Sequence, residues 1–358
     1  MRIAFASHVF WPEKRRGGER LIRDLSDALM ARGHRARLVT SHRGRPGRVD
    51  EDGLEVVRQF RPPERPFNAL GFPAGTSHAL PAWWAFRRRD DDVVQGWTAP
   101  AALAAAHSGK PSVYVFQGVL HENDFAGRPR VRAMVMRAAR GCDVVVAYSD
   151  VAAREFTRIT GIEARTIEPG IRLDAFAPAA EPGGAADARH SSPAIFCAAE
   201  PDEARKRVGL LVEAFAHVRR ARPEAELWLM PTSNPAIASA PGVRIVDPGA
   251  DREALVELYR SAWVSVLPAF REAFGLVVVE SLACGTRVVG MRDGGAVPRL
   301  VGDEALLAEP DAAGLARTLL HALDQPPEPA ACRRIAERYS IERCAEQYEA
   351  LYEELLAP

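Results

Sequence analysis

The chain reads as an α/β protein made of two consecutive parallel-sheet domains, and three observations predict this. Residues 1–40 run strand, glycine-containing turn, amphipathic helix, strand, the order of a parallel nucleotide-fold unit. A second strand-helix series opens at Ala194. Between them, residues 177–193 are rich in Pro, Gly, Ala and Ser, the composition of a linker. At 358 residues and 47% apolar content the chain can fill two cores. The expected division is a first domain over 1–176, a linker over 177–193, a second domain over 194–335 and a closing segment over 336–358.

Arg2 to Ser7 is a short buried strand, followed by a loop through Trp11-Pro12 to Gly17-Gly18. A helix from about Glu19 to Arg32 sets Leu21, Ile22, Leu25 and Leu29 on one face and stops at Gly33, and Arg35 to Thr40 is the next strand. The Gly-Gly pair ahead of a helix start lets backbone approach a ligand closely, and that helix end favours a phosphate. Lys14-Arg15-Arg16 either adds cations there or is a solvated loop. Residues 41–92 carry many Arg, Pro and Gly and read as loops with one short helix, holding Trp83 and Trp84 ahead of Arg87-Arg88-Arg89. These tryptophans either face an interfacial or acceptor-lining surface or pack on the core. Asp92 to Gln95 and Pro111 to Gln117 are strands ending in glutamine at the edge where open α/β sheets bind ligands. His121, Glu122 and Asp124 follow in a loop as acceptor contacts or plain surface. Cys142 to Ser149 is a buried strand ending in a helix cap.

In the second half, Ala194 to Ala199 is a strand and Lys206 to Arg220 a helix with Leu210, Leu211, Ala214, Phe215 and Val218 apolar. Glu226 to Met230 and Val243 to Val246 are strands, and Asp251 to Ser261 is a helix. A buried strand from Val264 to Leu267 leads into a loop with Glu272, then Gly275, then an apolar helix running to a stop at Gly285. The final helix sets Cys344, Tyr348, Leu351 and Leu355 on one face.

The charges bound the function. Lys+Arg and Asp+Glu number 47 each, but residues 1–178 hold 28 against 20 and residues 179–358 hold 19 against 27. A basic first half suits an anionic acceptor or an anionic membrane surface, or is a solvated arginine-rich face. Only Lys14, Lys110 and Lys206 are lysine, so lysine was not the default cation. Five scattered cysteines without C-x-x-C fit a reduced cytosolic protein and give no zinc site. No apolar run reaches the roughly 18 residues that span a bilayer, and the chain opens on a strand rather than a signal peptide. The expected location is the cytoplasm, with peripheral contact at the inner membrane face as a possibility.

Glu280 is the anomaly. At helical spacing its neighbours are Leu276, Val277, Ala283 and Cys284, so its carboxylate lies on an apolar face. An unsatisfied polar group there costs on the order of 2 to 7 kcal/mol, and a charge more. Either ligand hydroxyls satisfy it, or it pairs internally with an arginine or reaches out at the helix end. Glu272 and Glu280, seven residues between them, flank a helix N-terminus at Gly275 and Leu276 whose free amides suit phosphate or sugar oxygens.

This stretch, with Ala283-Cys284-Gly285-Thr286 and Val288-Val289 after it, resembles the retaining glycosyltransferases of the GT-B fold, in particular family four. Leu210-Leu211-Val212-Glu213-Ala214-Phe215 behind Lys206 resembles the same family, as do Gly17-Gly18-Glu19, residues 142–149, and Ile167 to Ile171 with Phe176-Ala177-Pro178. The resemblance implies two Rossmann-like, doubly wound domains facing a central cleft, with the last helix packing back on the first domain. It implies a nucleoside-diphosphate sugar donor, UDP or GDP, and a small-molecule, glycan or lipid-linked acceptor, with no cofactor, no metal and no nucleic acid. By position Glu272 becomes the sugar-side acid and Glu280 the ribose clamp. Lys206, with Arg205 or Arg207 standing in for a displaced arginine, becomes the diphosphate cation. Gly275, Leu276, Phe274, Gly17 and Gly18 fall on the donor side, and Gln95, Gln117 and His121 on the acceptor or sugar side.

Departures from the family pattern are Gln95 and Gln117 where His is common, Pro169 for Asn, Glu200 or Pro201 at the arginine position, and Arg299 for Glu after Gly294-Gly295 with one extra residue. Competing readings are a nucleotide-sugar epimerase or hydrolase of the same architecture, and a non-catalytic sugar-nucleotide binding protein. A pyridoxal-dependent phosphorylase is disfavoured by the scarcity of lysine. Acceptor choice is expected in loops 41–92 and 119–132.

Overall fold

The computed structural model describes residues 1–13, 16–179, 189–326 and 328–357. Lys14, Arg15 and the middle of the expected linker, 180–188, lie outside the described residues. The chain divides into two compact units, Met1–Gly170 with Ile341–Pro358, and Ile171–Ser340. The first crossing comes at 170/171 rather than after 176, and the return at 340/341 rather than 335. Ile171 is already tied to the second unit, its amide donating to the Tyr339 carbonyl at 2.9 Å.

The first unit holds β1 (Arg2–Ser7), β2 (Arg35–His42), β3 (Gly47–Glu51), β4 (Leu54–Phe60), β5 (Val93–Gly96), β6 (Ser112–Phe116), β7 (Val144–Ala147) and β8 (Ala164–Thr166). They form one sheet in the order β3-β4-β2-β1-β5-β6-β7-β8. All pairs are parallel except β3 with β4. The β3–β4 hairpin corrects the expectation of loops over 41–92. Asp52-Gly53 joins the two strands, with φ of 50° and 86°, the left-handed pair that a two-residue hairpin turn needs. β4 buries Leu54 and Val56 on its inner face, while β3 is charged and exposed, as an edge strand should be.

Helix Ala79–Arg88 divides its two tryptophans. Trp83 packs against the core and donates from Nε1 to the His107 carbonyl at 2.9 Å. Trp84 is 50% exposed with the Arg88 guanidinium 3.5 Å from its ring centre, and Leu80 one turn earlier is 69% exposed. No helix among the described residues is long and apolar enough to cross a membrane.

His78, at the start of that helix, is buried, and burial first, then neighbouring His8, depresses its imidazole to about 3. Such a group binds fewer protons folded than unfolded. Its contribution to stability is therefore full above its ordinary value of 6.5 and declines as pH falls toward 3. The unfolding free energy is expected to drop by about 1.4 kcal/mol per pH unit over that window from this residue alone. Denaturant melts of wild type and His78→Gln at pH 7 and pH 5 check this: the variant should lose less on acidification.

The second unit holds β9 (Ala194–Cys197), β10 (Glu226–Leu229), β11 (Val243–Ile245), β12 (Val264–Val266), β13 (Val288–Met291) and β14 (Leu307–Ala308). They form an all-parallel sheet in the order β11-β10-β9-β12-β13-β14. The order reverses direction between β9 and β12, and in open α/β sheets the crevice beyond the carboxyl ends of such a strand pair is where ligands bind. The loops leaving β9 and β12 carry Arg205-Lys206 and Glu272 respectively. The topology thus brings together groups far apart in sequence.

Candidate functional site

In the second unit, the helix expected from Lys206 begins at Val208; Lys206 closes a single 3₁₀ turn, Ala204–Lys206. Arg207 sits between turn and helix at a φ of 49°. The turn is joined to the loop after β12 by the Phe270 amide, which donates to the Arg205 carbonyl at 2.9 Å. Two cations thereby reach one carboxylate oxygen. Glu272 Oε2 accepts from Arg205 Nη1 at 2.8 Å and from Lys206 Nζ at 2.7 Å.

The Glu272 backbone is held as firmly. Its amide donates to the Gly294 carbonyl at 3.1 Å and its carbonyl accepts from the Ala296 amide at 2.9 Å. Gly295 lies at a φ of 70°, and a Cβ there would fall 2.4 Å from the Glu272 carbonyl oxygen. This accounts for the Gly294-Gly295 pair: only glycine lets the two loops approach so closely. Asp293 completes the arrangement by accepting from Arg207 Nη1 at 3.0 and 2.8 Å through its two oxygens. Burial works to raise the Glu272 carboxyl, but the charges of Lys206 and Arg205 outweigh it and hold the group below its ordinary value, so it is ionised at neutral pH.

Glu272 leads into Gly275, at a φ of 104°, and the helix Leu276–Ala283, whose N-cap is that glycine and whose first turn has no acid. Its positive end and early amides follow Glu272 by three residues along the chain. Within this helix Glu280 is 2% exposed and accepts from the Tyr259 hydroxyl at 2.9 Å. This tyrosine was not among the partners expected from sequence. Tyr259 is itself wedged edge-on against Phe196, ring centres 5.2 Å apart. Phe274 turns its ring inward. It is 2% exposed and lies edge-on to Tyr339, ring centres 5.4 Å apart.

In the first unit, Gly17 and Gly18 open the helix Gly17–Ala31, two residues earlier than expected. Glu19 is buried and accepts from the Arg16 amide at 3.0 Å, so it satisfies the helix end. A Cβ on Gly18 would lie 3.2 Å from Gln117 Oε1, and Gln117 Nε2 donates to the Trp97 carbonyl. The glycine thus makes room for the glutamine. Gln95 is fully buried and its Oε1 accepts from the Tyr352 hydroxyl at 2.7 Å. It ties the helix Ile341–Leu356 to the sheet. His121 caps a short turn: its Nδ1 accepts from the Asn123 amide at 3.3 Å.

Sequence reasoning missed Asp293 and Tyr259. Asp293 stands directly before the glycine pair that was noted, and its position there was the available signal. Nothing local marks Tyr259, which meets Glu280 only through the packing of two helices.

A family model described as Glycosyl transferases group 1 matches residues 192–325, and one described as Glycosyltransferase Family 4 matches residues 15–175. Among curated relatives, D-inositol 3-phosphate glycosyltransferase 2 of Catenulispora acidiphila is 30% identical over 212 residues, 51% of this chain and 48% of that protein. D-inositol 3-phosphate glycosyltransferase of Mycolicibacterium smegmatis is 28% identical over 277 residues, 69% of this chain and 60% of that protein. The chain therefore spans about half the length of these relatives. Among solved structures, sucrose-phosphate synthase from Thermosynechococcus elongatus matches with a TM-score of 0.77 at 22% identity, covering 99% of this chain and 98% of that one. Anabaena Alr3699/HepE, solved in complex with UDP and glucose, matches with a TM-score of 0.75 at 18% identity, covering 99% and 100%. These likenesses identify the fold as that of GT-B glycosyltransferases. Between them the two family models take in most of the chain, one in each half, and the chain belongs to the family 4, group 1 glycosyltransferases.

Proposed function

We propose that the chain transfers a sugar from a nucleoside-diphosphate sugar to an acceptor hydroxyl, with retention at the anomeric carbon. The observation that carries this reading is the convergence of Arg205 and Lys206 on Glu272, in the loop that leads into a glycine-started helix, at a topological switch point. In the transfer, the bond between the anomeric carbon and the diphosphate oxygen breaks, the acceptor oxygen bonds to that carbon, and the acceptor proton passes to the leaving phosphate. Negative charge grows on the diphosphate as the sugar becomes oxocarbenium-like. Lys206, Arg205 and the amides at Gly275 and Leu276 stabilise that charge, and no metal or cofactor enters the scheme. Glu272 accepts from sugar hydroxyls, and Glu280, oriented by Tyr259, accepts from the ribose. A same-face departure and attack needs no second nucleophile.

UDP is the first donor base to test, because a structural neighbour was solved with UDP and glucose, and GDP the second. The relatives' names make a phosphorylated cyclitol the first acceptor to test, and the excess of basic over acidic residues in 1–178 is consistent with an anionic one. Peripheral membrane contact belongs to the same proposal. Leu80, Trp84, Arg87 and Arg88 line one exposed helical stripe suited to an anionic lipid surface. Co-sedimentation with vesicles containing phosphatidylglycerol should fall several-fold in Trp84→Ala, and equal binding by both proteins would dismiss that contact.

The transfer itself is tested by incubating the protein with UDP- or GDP-sugars and an acceptor panel, following nucleotide release and the anomeric configuration of the product by NMR. Acceptor-dependent release with retained configuration is expected. Release or isomerisation without acceptor would instead favour the hydrolase or epimerase. Donor binding without turnover across a broad acceptor panel would favour a binding protein.

A further inference from the structure

We infer that Glu272 makes this site prefer the sugar-loaded donor over the free nucleoside diphosphate left after transfer. The inference rests on the diphosphate reading above but adds a role for the carboxylate's charge. Glu272 spends a single oxygen on two cations, Arg205 at 2.8 Å and Lys206 at 2.7 Å, and its backbone is fixed on both sides by the 294–296 loop. Its side chain is 12% exposed, so water screens it little. A phosphate seated on those cations competes with the carboxylate for their N–H donors and lies within a few ångströms of it.

The two nucleotides meet that carboxylate differently. In a nucleotide sugar both phosphates are esterified, each carries one charge, and the sugar brings hydroxyl donors. Glu272 exchanges its ammonium and guanidinium partners for hydroxyls and stays satisfied. A free nucleoside diphosphate ends in a terminal phosphate joined only through the anhydride, whose second ionisation lies near pH 6, so it carries about one further negative charge at neutral pH. It offers no hydroxyl in that position. The carboxylate then shares its cations with a more highly charged competitor and gains repulsion without a hydroxyl in return. Product release is thereby favoured without weakening the hold on the donor.

The experiment is isothermal titration of wild type and Glu272→Gln with UDP, UDP-glucose, GDP and GDP-mannose, with pyrophosphate alone as a further probe. The amide keeps the shape and one acceptor oxygen but removes the charge. For whichever base the wild type binds, the variant is expected to hold the free diphosphate about tenfold tighter and the nucleotide sugar within about threefold of wild type, with pyrophosphate tightening in parallel. A purely structural role for Glu272 would weaken all of these together. Unchanged or weaker diphosphate binding in the variant, with wild type binding normally, overturns the inference and leaves the diphosphate site standing. Failure of folded wild type to bind any probe overturns both. Should Glu272→Gln fold poorly, Glu272→Ala removes the same charge and must shift the ratio in the same direction.

Discussion

Replacing Lys206 by alanine is expected to lower kcat/KM for sugar transfer by about 10²- to 10³-fold while leaving the protein folded. The magnitude is that of removing one preorganised donor aimed at charge that develops during reaction. Lys206 is one of three lysines in a chain with 44 arginines, and its side chain, 15% exposed, is paired with Glu272. Its removal leaves Glu272 paired with Arg205 at 2.8 Å, so no buried charge is orphaned and the structural cost should stay near 1 kcal/mol. Steady-state kinetics beside a thermal melt separate the two effects. A fall in kcat/KM of less than fivefold, at unchanged melting temperature, would remove Lys206 from the diphosphate site. Lys206→Arg should recover only part of the loss, since a planar fork does not replace a compact ammonium on a phosphate.

Gly295→Ala is expected to be the most damaging single methyl in the second unit. The residue is in the left-handed region, where a side chain costs roughly 1 to 2 kcal/mol, and the added carbon would lie 2.4 Å from the Glu272 carbonyl oxygen and 2.8 Å from its nitrogen. Both contacts are with backbone, so relief requires the 271–272 segment to move off the loop that positions it. A destabilisation of about 2 to 4 kcal/mol follows. Activity should fall further than stability alone explains, because Glu272 moves with its backbone. Gly249→Ala is the control: it shares a positive φ, 58°, but has nothing within 4 Å of the added carbon. Denaturant melts of the two variants should differ by at least about 1 kcal/mol, and equal losses would mean that the Gly295 contact relaxes at little cost.

The parts of this molecule legible in its sequence are those written in local pattern. The strands of both sheets with apolar runs, such as Arg2–Ser7 and Val264–Val266, and the helix ending before Gly285 follow from burial periodicity and glycine stops. The β3–β4 hairpin was equally local, since Asp52-Gly53 is a strong turn signal, but the surrounding Arg, Pro and Gly obscured the alternation on either side. In the candidate site, Arg205, Lys206 and Glu272 were each picked out singly. Their meeting at one oxygen depends on the β9 and β12 loops leaving neighbouring strands, which no local window reveals. The same limit hides long-range side-chain partners. Gln95 looked like a free edge residue because its partner, Tyr352, lies 257 residues away. Phe274 was assigned by position in a loop, where helical or strand periodicity cannot say which way a ring turns, and Tyr339 covers it.

The most direct test of the diphosphate site is a crystal structure of the chain with a non-hydrolysable nucleotide sugar. The account predicts the diphosphate against Lys206 and Arg205 with an oxygen at the Leu276 amide, and the Glu272 carboxylate turned from its two cations to sugar hydroxyls. A nucleotide bound elsewhere, with Glu272 still holding both Arg205 and Lys206, would contradict it.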